Sequence, residues 1–578
     1  MKSGLEAFHR AGPGLEWVAA ACVAFAASAA EPPKLEQLFP AGAARGTTNS
    51  VVAVGKLEPW PVDVWVDGPG VLFRTNKEVG KFEVEVTRDA EPGPRLVRFH
   101  NKEGATALRF FVVGGGAERL EQEPNDDRAQ APLIDGLPVV INGRLEKGGD
   151  VDCFPVNVQQ GQWLVAMLDA YRLASPMDAL VRVVDDAGNQ VAWNHDRRVL
   201  DPGVAWKAPK SGRYVVQVMG FPHPAGSAVN FAGGAAYVYR LHLTTGPYVD
   251  HAWPLSLQAA GEREVAVHGW NFPGGHESVA VRVRTPAGPL GFAIAPGPFQ
   301  LGWSNAMNQA AVPLTAEPCF TESTLRVGEG IPTLALPCGV SGVLAQPGEE
   351  DRYQFPVKKG DVFEFCVRSG YFGFGLDSWL KIEDANGKEL VRDDDAGGWG
   401  DPKLTWTAPA DGVYRAAIGN MIRRGGEDQR YHLSVSKPVA LTRATVAENA
   451  FVVESGKTNE IKVALERRHG HQQAFKLRAS GLPGSVTAPQ VEVAEKAAEA
   501  VIKLWAAESA EAWRGPLSLE LVSTNGAVQT VVHELVSTST NNGVPGGYQE
   551  LLVNETPHLW FTLTPKPPPP PAETKKAP

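Results

Sequence analysis

The chain has 578 residues, a net charge of −10 at pH 7, 61 glycines and 46 prolines. Because a single core rarely grows beyond about 250–300 residues, this length predicts several domains. The acidic charge is spread along the chain, which argues against a nucleic-acid partner, since such proteins usually carry a basic stripe. The many glycines and prolines are typical of short strands joined by tight turns, so the composition favours an all-β protein.

The first residues have the pattern of an export signal. Lys2 and Arg10 supply positive charge before an apolar run of small residues that ends at Ala30. We therefore predict a signal peptide over residues 1–30 and a secreted protein, located in the cell envelope or at the cell surface. A membrane anchor is the alternative, but the run is shorter than the roughly 20 residues that a span needs. No membrane span is expected in the mature chain.

The region that follows alternates apolar and polar side chains in short runs. Residues 62–66 and 82–86 have the two-residue period of half-buried strands, and two more such runs flank a turn at 101–104. The pattern predicts a compact β-sandwich over residues 36–113, which we call sandwich A.

A long block of the sequence then occurs twice. Residues 137–218 and 336–418 run in a constant register up to Asp196 and Asp395, after which one residue is inserted. The shared residues are turn formers, strand ends and core aromatics, and they include Asp152 and Asp351, Asp201-Pro202 and Asp401-Pro402, Trp206 and Trp406, and Tyr214 and Tyr414. None of them is an obvious nucleophile or base. The repeat predicts two copies of one all-β module, module B over residues 119–246 and module B′ over residues 317–437.

A weaker repeat links the regions before the two modules. Phe39-Pro40 matches Trp253-Pro254, so residues 248–316 are predicted to be a second sandwich, A′. A fifth sandwich is predicted over residues 441–540, and the proline-rich tail at 565–578 has a composition typical of disorder. These units in series predict a five-domain rod.

Module B contains a series of motifs that resembles a known family. The motifs are Glu121-Gln122-Glu123-Pro124-Asn125-Asp126-Asp127, Gly149-Asp150-Val151-Asp152, Asp185-Asp186-Ala187-Gly188 and Ala208-Pro209-Lys210-Ser211-Gly212-Arg213-Tyr214. They resemble the bacterial pre-peptidase C-terminal (PPC) domain family, and residues 346–435 resemble the same family. Sandwiches A and A′ look more loosely like immunoglobulin-like TIG domains, and the fifth is similar to a generic immunoglobulin-like domain. The resemblance implies tandem β-sandwiches, with jelly-roll PPC-like modules alternating with immunoglobulin-like sandwiches.

The resemblance also implies a function. Modules of this family are commonly non-catalytic appendages of secreted proteases; some bind matrix polymers such as collagen, and some bind calcium. We therefore expect an exported, non-catalytic binding or scaffold protein whose partner is an extracellular polymer or protein. The alternative is an accessory or remnant of a secreted, subtilase-type protease that lacks its catalytic domain and acts beside a peptidase on another chain. The sequence has neither a Gly-x-Ser-x-Gly elbow nor a His-Glu-x-x-His zinc motif.

The start of module B offers ligands for calcium, a hard cation that takes six to eight oxygens. Oxygen-bearing side chains crowd into a short acidic segment and into the entry of the next predicted strand. Calcium-binding members of the family use a similar acidic linker, which implies six possible ligands here: Glu121, Glu123, Asn125, Asp126, Asp150 and Asp152. The alternative is a solvated acidic linker in which Asp152 caps a turn.

Module B′ departs from this pattern. Glu317-Pro318 aligns with Glu123-Pro124, but Cys319 and Phe320 then stand where module B has an asparagine and an aspartate. We therefore expect module B′ to have lost the site.

The mature chain keeps four cysteines, and export would permit disulfide bonds. Four cysteines allow three pairings, and the sequence does not choose between one bridge in the second module and free thiols. The four are Cys153, Cys319, Cys338 and Cys366.

Overall fold

A computed structural model of the chain describes residues 31–198, 200–223, 230–288, 290, 299–326, 330–397, 400–535 and 550–566. The predicted signal peptide and residues 567–578 of the predicted tail lie outside the described residues. The described part contains 46 β-strands, three short 3-10 turns and a single one-turn α-helix, which confirms the all-β fold class. No helix in that part is long and apolar enough to cross a bilayer. The four cysteines among the described residues, Cys153, Cys319, Cys338 and Cys366, are free thiols.

Sandwich A consists of two packed sheets. Its strands are β1 Lys34–Phe39, β2 Gly42–Ala44, β3 Thr47–Lys56, β4 Asp63–Val66, β5 Val71–Thr75, β6 Lys81–Val86, β7 Gly93–Asn101, β8 Gly104–Ala105 and β9 Arg109–Gly114. One sheet has the order β1-β3-β6-β5 and the other β2-β9-β7-β4. Phe82, Val84 and Val86 of β6 point into the core between the sheets, so the predicted two-residue period of this strand is confirmed.

Module B is a second two-sheet sandwich. Its strands are β10 Glu118–Leu120, β11 Val139–Arg144, β12 Asp152–Val158, β13 Trp163–Asp169, β14 Met177–Asp185, β15 Gln190–Asn194, β16 Gly203–Lys207, β17 Gly212–Pro222 and β18 Val238–Thr244. The sheet orders are β10-β11-β18-β13-β16 and β12-β17-β14-β15. The short strand β10 pairs in parallel with β11, which carries the chain from sandwich A directly onto the edge of module B.

Sandwich A′ is a smaller version of sandwich A. Its strands are β19 Tyr248–Trp253, β20 Leu257–Gln258, β21 Gly261–Trp270, β22 Ser278–Thr285, β23 Phe299–Gly302, β24 Gln309–Val312 and β25 Leu314–Thr315. The ladder between β19 and β21 has a bulge at the same place as the ladder between β1 and β3. The short strand β20 pairs in parallel with β25, as β2 does with β9.

Module B′ repeats module B strand for strand. Its elements are β26 Cys319–Thr321, α1 Glu322–Leu325, β27 Cys338–Val343, β28 Glu350–Val357, β29 Val362–Arg368, β30 Ser378–Glu383, β31 Glu389–Asp393, β32 Lys403–Thr407, β33 Gly412–Asn420 and β34 Arg430–Ser436. The sheet orders, β26-β27-β34-β29-β32 and β28-β33-β30-β31, are those of module B in the same sequence. The repeat in the sequence is therefore a repeat of the fold.

One buried aspartate holds the same 3-10 turn in both modules. Asp201 accepts hydrogen bonds from the consecutive backbone N–H groups of residues 170–172, and Asp401 accepts them from residues 369–371. Each carboxylate thus satisfies three donors that a turn this short leaves unpaired. The repeated aspartate of the Asp-Pro pair therefore has a structural role in both modules.

The fifth sandwich extends beyond residue 540, the end predicted from the sequence. Its strands are β35 Leu441–Val446, β36 Ala450–Glu454, β37 Thr458–Arg468, β38 Phe475–Ser480, β39 Val486–Thr487, β40 Val491–Val493, β41 Glu499–Ala506, β42 Trp513–Ser523, β43 Val528–Thr530, β44 Val532–Glu534, β45 Glu555–Thr556 and β46 Leu559–Thr564. Strand β46 lies between β36 and β42, and Phe561 and Leu563 enter the core. Because β46 is one short apolar run before a proline-rich stretch, its place inside a sheet left no mark in the sequence.

The five sandwiches do not form the predicted rod. The described residues from Pro32 onward belong to one compact unit, in which the fifth sandwich packs against the first. The buried guanidinium of Arg98 in β7 donates to Asn449 O and Oδ1, at 2.8 Å each, and to His558 O at 3.3 Å. Beside it, the rings of Trp65 and Trp560 are in contact. Contacts between units this far apart in the chain leave no local pattern from which to predict them.

A short segment after the fifth sandwich's strand β44 reaches back to the start of the chain. We call residues 550–553 the strap. Leu551 and Val553 enter an apolar cluster with Phe110 of sandwich A and Leu173 of module B. The strap therefore fills part of the junction between sandwich A and module B.

Candidate metal centre

The segment that follows β10 lies beside the start of β12. Glu121 and Glu123 come from this segment, and Asp152 is the first residue of β12. One oxygen of each of these three carboxylates lies within 4.8 Å of the others. Asp152 is fully buried. The structure thus brings three of the six predicted ligands together in one cluster.

Asp126 and Asp150 form a second acidic group next to this cluster. Asp150 is buried and accepts a hydrogen bond from the backbone N–H of Glu146 at 2.5 Å. Asp126 is half exposed and pairs with Lys147 at 3.0 Å. Burial raises the pKa of Asp150, and the nearby charge of Asp126 raises it further.

Several buried polar atoms of the centre lack a partner among the described residues. Asn125 is only 2% exposed, yet neither its amide oxygen nor its amide nitrogen makes a hydrogen bond there. The Oδ1 atoms of Asp150 and Asp152 are also buried without a hydrogen-bond partner among the described residues. An unsatisfied buried polar group costs about 1–3 kcal/mol. Carboxylate and amide oxygens are ligands that a hard dication prefers, so the residues present fit such an ion.

Tyr239 of β18 completes the centre and was not predicted. Its hydroxyl lies 2.5 Å from Asp152 Oδ2 and 3.0 Å from Glu121 Oε2. The hydroxyl has one hydrogen, so it can donate to only one of the two carboxyl groups at a time. Tyr431 is the equivalent residue in β34. The loops before β18 and β34 differ in length, so the constant register of the sequence repeat ends in the preceding strand and does not reach these two tyrosines.

Burial disfavours the charged form of these acids. Burial, with the charge of Glu121 in addition, raises the pKa of Asp152 to about 10. Burial likewise raises the pKa of Glu121 to about 8. A dication bound between the two carboxylates would oppose this shift, because it stabilises their ionised forms.

The shifts predict a dependence of stability on pH. The pKa values of Asp152 and Glu121 are raised in the fold from ordinary values of 3.8 and 4.5, so the native state holds more protons than the unfolded chain. Without a dication, stability should therefore fall as the pH rises from about 5 to 9. We expect the melting temperature in chelator to show this fall, and Asp152→Asn to flatten it. A fall of equal steepness in the variant would contradict the assignment.

The structure corrects the alignment of the second module. The sequence paired Glu317-Pro318 with Glu123-Pro124, whereas β26 occupies the place of β10, so Glu322 takes the position of Glu121. The segment from Glu322 to β27 in module B′ is shorter than the segment from Glu121 to β11 in module B. No repeated turn residue shows where the two segments differ in length, so the sequence alone gave the wrong alignment.

Comparisons with known proteins give a partial relationship. No protein-family model matches the chain. A probable subtilase-type serine protease of Deinococcus radiodurans is 33% identical over 90 residues, which cover 15% of this chain and 12% of the protease. The chain therefore matches a small part of that relative's length.

Two solved structures illustrate the structural likenesses. The pre-peptidase C-terminal domain of a Bacillus anthracis collagenase is 18% identical, and the match covers 19% of this chain and 99% of that domain with a TM-score of 0.16. The M60 catalytic domain with two CBM51 domains of Clostridium perfringens ZmpB is 10% identical, over 68% of this chain and 45% of that one, with a TM-score of 0.15. TM-scores this low do not support a functional assignment, so the proposal below is based on the geometry of this chain.

Proposed function

We propose that the chain is an exported, non-catalytic binding or scaffold protein in which calcium stabilises a PPC-like module. It would be secreted or held at the cell envelope or surface, and it would serve adhesion or the binding of an extracellular polymer or protein. The observation that supports this proposal is the buried group of oxygen side chains around Asp152, which includes atoms without a partner among the described residues and could hold a cation. Modules B and B′ are both PPC-like in this proposal, and sandwiches A and A′ are TIG-like.

Calcium suits the side chains better than other common ions. The group is made of carboxylates and one amide, with no histidine or thiolate among the predicted ligands, which disfavours zinc. Magnesium demands a stricter octahedral geometry and holds its waters, whereas calcium accepts irregular sets of six to eight oxygens. Calcium sites of extracellular modules typically bind with dissociation constants of about 10⁻⁴–10⁻³ M.

The position of the centre gives the ion a structural role. Glu121 follows β10, and in β10 Glu118 makes a buried ion pair of 2.7 Å with Arg240 of β18. An ion on Glu121 and Asp152 would therefore tie the segment entering from sandwich A to the second sheet of module B. Calcium at 100 times its dissociation constant would stabilise the bound form by about 2.7 kcal/mol.

The test of the calcium site is the melting temperature of the full chain in calcium and in chelator. We expect calcium to raise the transition of module B by roughly 5–10 °C. Asp152→Asn should abolish the rise. Asp135→Asn is the matched control, because Asp135 lies in the same segment between β10 and β11 but its side chain is 86% exposed and forms its ion pair with Arg119. No rise in the wild type, or an equal rise in Asp152→Asn, would reject calcium at this centre.

The partner decides between the proposal and its alternative. Sequence similarity to a subtilase-type protease favours, as a second candidate, an accessory or remnant of a secreted protease. Co-sedimentation of the full chain with fibrillar collagen or with isolated cell envelopes should retain it if it binds a polymer or surface. Specific capture of a secreted peptidase would support the second candidate instead. Digestion of casein by the purified chain would contradict both.

A further inference from the structure

Module B′ rebuilds the frame of the candidate metal centre with its own residues. Asp351 is fully buried at the start of β28, and its Oδ2 accepts a hydrogen bond from the hydroxyl of Tyr431 at 2.7 Å. Glu322 accepts the backbone N–H of Val343 at 3.4 Å, just as Glu121 accepts the N–H at the end of β11 at 2.7 Å. Both modules therefore hold two facing carboxylates and one tyrosine at equivalent positions.

A guanidinium joins the two carboxylates in module B′. Nη2 of Arg326 lies 2.7 Å from Asp351 Oδ1 and also contacts the carboxylate of Glu322. In module B the equivalent oxygen, Asp152 Oδ1, meets no donor from the described residues. The positive group of Arg326 thus lies where an ion bridging the carboxylates would lie in module B.

The local structure explains how Arg326 reaches this place. Helix α1 makes one turn, which puts Arg326 four residues after Glu322 and on the same face. In module B the chain has no helix after Glu121, and the carboxylate of Glu123 joins the cluster instead. One module places a basic side chain against its two carboxylates, and the other places a third carboxylate there.

The charges of the two centres agree with this difference. A bound dication would hold the carboxylates of Glu121, Glu123 and Asp152 in their ionised forms, and the group would then have a net charge of minus one. Arg326 leaves the same net charge on Glu322 and Asp351. Two centres built on one frame would thus reach the same balance by different means.

We infer that Arg326 is the built-in cation of module B′ and replaces the metal ion that the same frame takes in module B. Module B′ is then held together without metal, and only module B responds to calcium. The part of this inference that concerns module B rests on the proposed function. The part that concerns module B′ stands on the contacts of Arg326.

The test is hydrogen–deuterium exchange of the full chain, read by mass spectrometry with and without calcium. In the wild type we expect calcium to slow exchange around Glu121 and β12 but not around Glu322 and β28. Arg326→Gln should make the second region calcium-dependent, with exchange slowed about tenfold when calcium is ten times its dissociation constant. Adding Asp351→Asn to that variant should remove the new response.

Two further variants keep the outcome readable. Arg326→Lys keeps the positive charge and should leave module B′ indifferent to calcium, even if Arg326→Gln is poorly folded. Arg352→Gln is the matched control, because Arg352 is the next residue after Asp351 and pairs instead with Glu383 at 3.3 Å. It should not create a calcium response.

The outcomes separate the two ideas. Calcium protection of module B′ in the wild type, a calcium response there in Arg326→Lys, or no calcium response there in Arg326→Gln would each overturn the inference. An absence of calcium protection in module B of the wild type would reject the proposed function alone. A gain of calcium protection in module B′ of Arg326→Gln would support the inference in either case.

Discussion

Replacing Arg98 by alanine should lower the free energy of unfolding of the transition that includes sandwich A by about 3 kcal/mol. The guanidinium is buried between the first and the fifth sandwich, and its removal strands Asn449 Oδ1 and the carbonyl of His558, whereas Asn449 O keeps the N–H of Trp560 at 2.8 Å. Each stranded buried acceptor costs about 1–3 kcal/mol. The packing of the guanidinium against the ring of Trp560, at 5.8 Å from its centroid, is lost as well. Urea unfolding of the full chain measures the change.

The matched control is Arg74→Ala in the same sandwich. Arg74 pairs with Glu83 and Glu85 at the surface, where its side chain is 55% exposed. Exposed ion pairs contribute about 0–1 kcal/mol, so this variant should unfold almost as the wild type does. If the Arg98 variant behaved like the Arg74 variant, the contact between the first and the fifth sandwich would not contribute to stability in solution.

Asp401→Ala is the second substitution with a large expected effect, a loss of about 3 kcal/mol from module B′. The carboxylate accepts three consecutive backbone N–H groups, and alanine would leave all three without a partner in a buried turn. Burial raises the pKa of Asp401 to about 6, so the carboxylate is ionised above that pH and the loss should be measured near pH 8. Thermal unfolding of the full chain reports it.

Asp411→Ala provides the comparison for Asp401. Asp411 also accepts a backbone N–H, from Lys359 at 2.7 Å, but it does so at the surface. Water can replace that bond, so we expect a loss below about 1 kcal/mol. Equal losses in the two variants would show that the turn held by Asp401 is not a stabilising feature of the module.

The all-β sandwiches were predictable because the residues of a strand alternate between buried and exposed positions, which leaves a local pattern in the sequence. The alternation at 82–86 appears as the buried positions of β6, and the repeated turn residues mark the same strand ends in both modules. The packing of the fifth sandwich against the first was not predictable. Arg98 and Asn449 meet across the chain, and neither residue differs in its sequence surroundings from an ordinary surface position.

The candidate centre shows the same division. Glu121, Glu123 and Asp152 were predicted to lie together because oxygen-bearing side chains crowd in this part of the sequence, and the structure brings them together. Tyr239 was missed because it arrives from a strand far along the chain. Arg326 was missed for a different reason: its significance depends on the register of Glu322, which only the pairing of β26 with β27 reveals.

The strap has a consequence for how the chain is made. Leu96 and Phe110 of sandwich A share their apolar cluster with Leu551 of the strap. Synthesis proceeds from the N-terminus, so sandwich A emerges roughly tens of seconds before the strap that covers this face. During that interval the newly made chain exposes the part of this apolar cluster that Leu551 and Val553 later bury. A chain released before residue 550 would keep that surface and would be a substrate for chaperones and proteases.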